Sequence, residues 1–389
     1  MFGKISSMNA RTRNFSIVCL CLLYALFRGR AVNVKGTPTR IILFPSGKLG
    51  DVVCTTPVIK ALAENKKDVF VAASSRVVTE LLSGLGSVNG FIDTRSFWSG
   101  IRNVRKGAFD ACIVTGPTFR SVATAFLAGI PFIVAPRIEG GSSIQHDSRP
   151  YQTIKKFITT VPYTVGMYMP RERLRTLEPL GIVTEDTSKH LFFSASAEKK
   201  VSELLKENGI DPHVDFVIGI TPSAGNKIKE WPVERFAKVA DYLVEKYAMK
   251  IILIGGPNDC RLVQGVVSHL EHAESIFNAQ GKCTIDELKA LISKLHVFIS
   301  VDTGPIYIAE AFNIPTIDIT GPIDEREQPP IGERHIVITP PHRKAPELFV
   351  MNARDYNYRE ARRQAESITV DMVISGFDAL YSRITSNHE

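Results

Sequence analysis

The chain has 389 residues, 44% of them hydrophobic and 22% charged, a length that suits two domains and a composition that excludes wholesale disorder. Its formal net charge of +7 invites a nucleic-acid reading, yet residues 1–40 hold seven basic side chains (Lys4, Arg11, Arg13, Arg28, Arg30, Lys35, Arg40) and no acidic one. The 40 basic residues left of 47 match 40 acidic ones, so the body is neutral and nucleic-acid binding loses its main support.

In the N-terminal arm (1–39) an apolar run, Phe15 to Phe27, lies between arginines. It is shorter than the ~20 residues a spanning helix needs. Three readings stay open: contact with the interface of an anionic membrane, a leader without a small-residue cleavage site, or packing against the body. The six cysteines are scattered with no C-x-x-C pair, which suits neither a zinc site nor a disulfide framework and indicates a reducing compartment.

From residue 40 onward, short β-branched apolar runs alternate with helical patterns, the mark of an α/β fold with parallel sheets. The first half offers strands at Arg40–Phe44, Val69–Ala73, Ala111–Val114 and Phe132–Ala135, with helices at Pro57–Asn65, Val77–Ser83 and Thr118–Leu127. Thr56 before Pro57 reads as a helix N-cap. A loop-rich stretch, Glu139–Arg149, interrupts the pattern, and a polar segment around Thr184–Lys189 reads as a linker. The second half restarts with strands at Phe216–Ile220, Lys250–Ile254, Val297–Ser300 and Thr316–Ile319, and helices at Val233–Tyr247, Asp259–Leu270, Ile285–Lys294 and Pro305–Phe312. Prolines at 329–330 and 340–341 end the alternation, and Val370–Ile384 reads as a last amphipathic helix. The expected domains are therefore 40–185 and 186–345, with a helical tail over 346–389.

Ligands of parallel sheets bind in the loops that lead from strand to helix, and three such loops carry candidate residues. After the first strand comes Pro45-Ser-Gly-Lys-Leu-Gly-Asp51. Its Gly47, Lys48 and Gly50 form neither a P-loop nor G-x-G-x-x-G, which counts against an NAD-dependent Rossmann enzyme. Asp51 there is either a helix cap or a general base for a hydroxyl. The second loop runs from Thr221 to Pro232. Its small residues, Ser223 among them, allow close approach of a ligand, and Lys227 and Lys229 supply positive charge beside a helix start. Trp231 suits a packing anchor. The third is Ser300-Val-Asp-Thr-Gly-Pro305, where Thr303 and Gly304 can present N–H groups to a phosphate and Asp302 faces what lies beyond it. A tight-turn cap is the alternative.

Together these loops resemble the lipopolysaccharide heptosyltransferase family, glycosyltransferase family 9. The ordered landmarks are Lys48-Leu-Gly-Asp51 with Thr55-Thr-Pro57, Glu178-Pro-Leu-Gly-Ile182, Lys229-Glu-Trp-Pro232, Gly255-Gly-Pro-Asn-Asp259, Asp302-Thr-Gly-Pro305 and Gly321-Pro-Ile-Asp324. The resemblance implies two Rossmann-like domains facing across a cleft (the GT-B fold), with the acceptor bound by the first and the nucleotide sugar by the second. It implies inverting transfer of heptose from ADP-heptose, a co-substrate, to a lipid A–core acceptor, with no metal and no other cofactor. On that resemblance Asp51 is the base, and Lys229 binds the diphosphate and steadies the leaving ADP. Asp302 holds sugar hydroxyls, Thr303 and Gly304 bind phosphate, and Asp259 reaches the ribose. The partners are then the donor and a lipid-linked glycan, in the cytoplasm or peripherally on the inner membrane, and the last helix is expected to pack back on the first domain. Arg137, His146 and Arg149 are either acceptor contacts or solvated surface residues.

One position departs from the family pattern. Tyr307 stands where the family carries a histidine, and a tyrosine donates a hydrogen bond but stays neutral, so a charged phosphate contact is lost. Another GT-B transferase or a nucleotide-sugar epimerase, and a non-catalytic membrane-associated relative, remain alternatives.

Overall fold

The computed structural model describes residues 10–32, 36–352 and 355–386; Lys4 and Lys35 of the basic arm lie outside them. By their contacts these residues form two compact units. The first takes the described residues up to Gly47, Thr55–Thr79 and Leu85–Ser188, and the second takes Lys48–Cys54, Glu80–Gly84 and the described residues from Lys189 on.

In the first unit six parallel strands, β1 (Arg40–Phe44), β2 (Asp68–Ala73), β3 (Gly90–Asp93), β4 (Ala111–Val114), β5 (Phe132–Glu139) and β6 (Thr159–Thr164), form one sheet in the order β3-β2-β1-β4-β5-β6. Ile41 of β1 sits between Val69 of β2 and Ala111 of β4. The second unit repeats the plan with β7 (Val217–Thr221), β8 (Lys250–Leu253), β9 (Ile276–Asn278), β10 (Val297–Val301), β11 (Thr316–Ile319) and β12 (His335–Ile338), ordered β12-β11-β10-β7-β8-β9. Every residue of β4, β7, β10 and β11 is buried, because helices cover both faces of a parallel sheet and leave no polar side to alternate with.

The local chemistry departs from expectation in a few places. Thr55, not Thr56, is the N-cap of the Thr56–Glu64 helix, and it makes no side-chain capping bond. Helices at Phe97–Lys106, Ala195–Glu207 and Tyr358–Ser367 add to those read from the sequence. The expected return of the last helix to the first domain is corrected: Val370–Ser386 buries Val373, Phe377 and Leu380 in the core of the second unit, with Ile218, Ile299 and Ile317.

The N-terminal segment is helical over Ala10–Arg28 and joins the first unit. Ile17 and Cys21 enter that unit's core beside Phe126, against which the Tyr24 ring packs edge-on at 5.8 Å. The Arg28 guanidinium closes the C-terminus of the Phe119–Ala128 helix by donating to the carbonyl oxygens of Phe126, at 2.6 Å, and of Ile130. Ala31 and Val32 then make bridges to Ile158 and Phe132. Among the described residues no helix is long and apolar enough to cross a membrane.

Candidate functional site

In the second sheet β7 and β10 are neighbours, while the chain leaves β7 toward β8 on one side and β10 toward β11 on the other. The loops after these two strands therefore diverge and leave a crevice at their carboxyl ends, where parallel sheets bind ligands. A cavity of about 530 Å³ opens there. It is lined by both loops, by the loop after β8, by Lys48–Asp51 and by Leu348–Val350, all within the second unit.

The loop after β7 is pinned by two buried residues, Ile228 and Trp231. The Trp231 indole donates to the carbonyl oxygen of Ile368 at 2.9 Å and meets Phe236 edge-on, so it is a packing anchor and not a ligand platform. Lys227 is exposed. Lys229, by contrast, is turned inward with its side chain 15% exposed, and its Nζ donates to Asp302 Oδ2 at 2.6 Å. An ammonium carries three donors, so this bond orients Lys229 and leaves capacity for a ligand.

Asp302 sits at the end of β10, and its Oδ1 accepts from the Tyr307 hydroxyl. The Tyr307 ring is buried, and burial, with the Asp302 charge next, pushes its phenol well above the ordinary value. Tyr307 is thus a neutral donor spent on Asp302. Burial first and the Asp302 charge second raise the Asp318 carboxyl well above its ordinary value. Burial and the neighbouring like charge both favour its protonated form.

Thr303 is the N-cap of the Gly304–Ala311 helix, with extended backbone and no side-chain capping bond. Its first turn, with Pro305, lines the cavity, and the orphan N–H groups and dipole of a helix start favour an anion. Two glycines bring the other wall in. A Cβ on Gly304 would lie 2.6 Å from Leu49 Cδ2 and 3.1 Å from the backbone nitrogen of Gly50, and one on Gly50 would lie 2.7 Å from Tyr307 Cδ2. Any side chain at either position would push the Leu49–Val53 helix off the Gly304–Ala311 helix.

That packing carries Asp51 to the cavity wall. Asp51 Oδ2 accepts the backbone N–H of Lys48 at 2.8 Å, so the carboxylate caps its own short helix. The cap and the cavity position belong to the same side chain. Lys48 reaches across with its Nζ to the carbonyl oxygen of Gly225, at 2.6 Å, and Gly47 before it turns the chain at a φ of 98°. Ser223 and Asp259 also line the cavity, but they bond each other: Asp259 Oδ2 accepts the Ser223 hydroxyl at 2.8 Å and the Gly256 N–H at 2.7 Å.

Sequence reasoning missed the apolar lining that Ile254, Ala279, Ile285 and Leu288 give the cavity, and the contribution of Gln328, Phe349 and Val350. The Cys283 thiol, also in the lining, is pushed up to about 11 by burial, which favours the protonated form. Arg137, His146 and Arg149 belong to the first unit; Arg137 pairs with Glu139 at 2.7 Å, His146 with Asp147 at 2.8 Å, and Arg149 is exposed. Among the described residues no group of three or more His, Cys, Asp or Glu is arranged to hold a metal ion.

The family described as Glycosyltransferase family 9 (heptosyltransferase) matches residues 97–357. Lipopolysaccharide heptosyltransferase 3 of Escherichia coli (strain K12) is 27% identical over 289 residues, which cover 71% of this chain and 80% of that protein. Among solved structures, a glycosyl transferase of family 9 from Veillonella parvula superposes with a TM-score of 0.71 at 21% identity, covering 88% of this chain and 97% of that one. The E. coli ADP-heptose LPS heptosyltransferase II does so with a TM-score of 0.68 at 16% identity, over 89% and 100%. At these identities the superpositions speak for the fold, two Rossmann-like units of GT-B type.

Proposed function

The chain belongs to glycosyltransferase family 9, the heptosyltransferases, and on that premise we propose that this glycosyltransferase moves heptose from ADP-heptose to a hydroxyl of a lipopolysaccharide-core-type acceptor, with inversion. The observation that carries the reading is the Lys229–Asp302 pair beside the open first turn of the Gly304–Ala311 helix, in a cavity that Ile254, Ala279, Ile285 and Leu288 also line. The polar groups suit a diphosphate with its sugar, and the apolar lining suits a flat base.

In this reading Asp51 takes the proton of the acceptor hydroxyl as its oxygen attacks the anomeric carbon from the face opposite the nucleotide. The bond from that carbon to the phosphate oxygen breaks, and its electron pair leaves with ADP. Lys229 and the helix N–H groups stabilise the growing negative charge without a metal ion, and Asp302, steadied by Tyr307, holds the sugar. The Lys48 N–H fixes the direction of the Asp51 carboxylate, a preorganised geometry that favours the attack. The acceptor's lipid places the reaction at the cytoplasmic face of a membrane.

The test is a donor panel of ADP-heptose, UDP-sugars and GDP-sugars against one lipid-linked acceptor extract, run with the native chain and with Asp51→Asn. Turnover with ADP-heptose alone, abolished in Asp51→Asn, is the expected result. Undiminished activity in Asp51→Asn sinks the assignment of the base, and turnover with a different donor sinks that of the sugar.

A further inference from the structure

The Ala10–Arg28 helix is apolar on every side over its last three turns: from Ile17 to Phe27 no residue is charged. Among the described residues only one face is covered by protein, the one that buries Ile17 and Cys21. On the opposite side Phe15, Leu26 and Phe27 are 69%, 81% and 89% exposed. A helix that is hydrophobic all round belongs in a protein core or in lipid, and among the described residues the outer face has no such complement.

The face continues beyond the helix. Leu23 and Phe27 share an apolar groove with Trp98 and Ile101 of the Phe97–Lys106 helix, and Trp98 is itself exposed. Exposed arginines, Arg13 and Arg30, stand at the two ends of the patch, and no acidic residue precedes Asp51 in the chain. The uncharged eleven residues Ile17–Phe27 rise ~16 Å as a helix, about half of the ~30 Å hydrocarbon core. They can lie in an interface but cannot cross it.

We propose that this face, Phe15, Leu22, Leu26 and Phe27 with Trp98, is a docking surface for an anionic phospholipid bilayer, entered by the helix lying in the plane of the headgroups. The charge pattern selects this occupant over a second copy of the chain, because pairing two such faces would set like-charged arginines against each other, whereas anionic headgroups neutralise them. A tryptophan at the edge of an apolar face fits the headgroup level. The docking does not depend on which sugar is transferred, so it stands or falls apart from the donor reading.

The experiment is flotation of the full-length protein with vesicles of phosphatidylcholine, with and without phosphatidylglycerol, together with Leu26→Glu/Phe27→Glu. Both substituted positions are exposed, so the melting temperature should be unchanged. The native protein should float with the phosphatidylglycerol vesicles, less so at high salt, and the double variant should partition about tenfold less or worse. Brominated lipid should quench tryptophan fluorescence on binding; the other tryptophan, Trp231, is buried, so the quenching reports Trp98. Equal flotation of native and variant protein overturns the proposal. So does a native dimer in sedimentation equilibrium that the variant breaks while neither form binds vesicles.

Discussion

Lys229 is held by a carboxylate, at 2.6 Å from Asp302 Oδ2, which aims its charge for a diphosphate that develops negative charge. Lys229→Ala should therefore lower kcat by about a hundredfold or more, the scale seen when one charge-stabilising donor is lost, with a smaller change in the KM for acceptor. Steady-state kinetics showing an unchanged kcat would remove the assigned role. Gly50 gives a sharper steric forecast. Alanine there would place its Cβ 2.7 Å and 2.9 Å from two atoms of the buried Tyr307 ring, which is held by its bond to Asp302 and cannot swing away. Gly50→Ala should cost ~1–3 kcal/mol by overpacking, and substituting the smaller Tyr307→Ala beside it should return most of that loss in urea unfolding. Additive losses in the pair would refute the contact.

The outer strand β12 carries a titration of its own. His335 donates or accepts at Thr316 Oγ1 at 2.9 Å, and burial, with the charges of Lys189 and Arg334 behind it, lowers its value from 6.5 to about 4. The unfolded chain thus takes up this proton before the folded one does. The stability that the neutral ring contributes is complete above about pH 6.5 and is lost as pH falls toward about 4. Urea midpoints should show the difference between native protein and His335→Gln shrinking across that window, and a difference constant with pH contradicts the assignment. The same strand shows where sequence reasoning fails. β4, β7, β10 and β11 lie inside their sheets, are buried throughout and are legible as mostly apolar runs such as Val-Ile-Gly-Ile. β3, β6, β9 and β12 are the four sheet edges, half-covered and mixed in character, as in Gly-Phe-Ile-Asp of β3 or the proline within β6, and they give no such run. The strand-to-helix loops of the site were legible for the same reason as the inner strands they follow. The Tyr307–Asp302 bond and the wall at Leu348–Val350 were not, since they depend on how distant segments meet and no local pattern encodes that.

At the scale of the whole chain, the sequence shows two α/β halves and a neutral body, and the charge count places the basic excess in the N-terminal segment. It does not show that a stretch between the first strand and the Thr56–Glu64 helix belongs by contact to the other half. Lys48–Cys54 and Glu80–Gly84 are part of the second unit: Leu49 and Gly50 pack on Gly304 and Tyr307, and the Lys289 ammonium is buried on the carbonyl oxygen of Glu80 at 2.9 Å. The unit with the cavity is therefore discontinuous in sequence. A gene fragment that begins at Lys189 would encode all six strands of the second sheet and still lack one wall of its own cavity. Such a fragment should be expressed with the Lys289 ammonium and the Tyr307 ring uncovered, melt well below the intact chain, and show no rise in melting temperature with ADP where the intact chain does. Equal stabilisation of both by ADP would mean that the borrowed loop contributes nothing to binding. Evolution or engineering that exchanges the second half of this protein between relatives must then carry residues 48–54 along with it, so the seam for recombination is not the seam seen in the order of the chain.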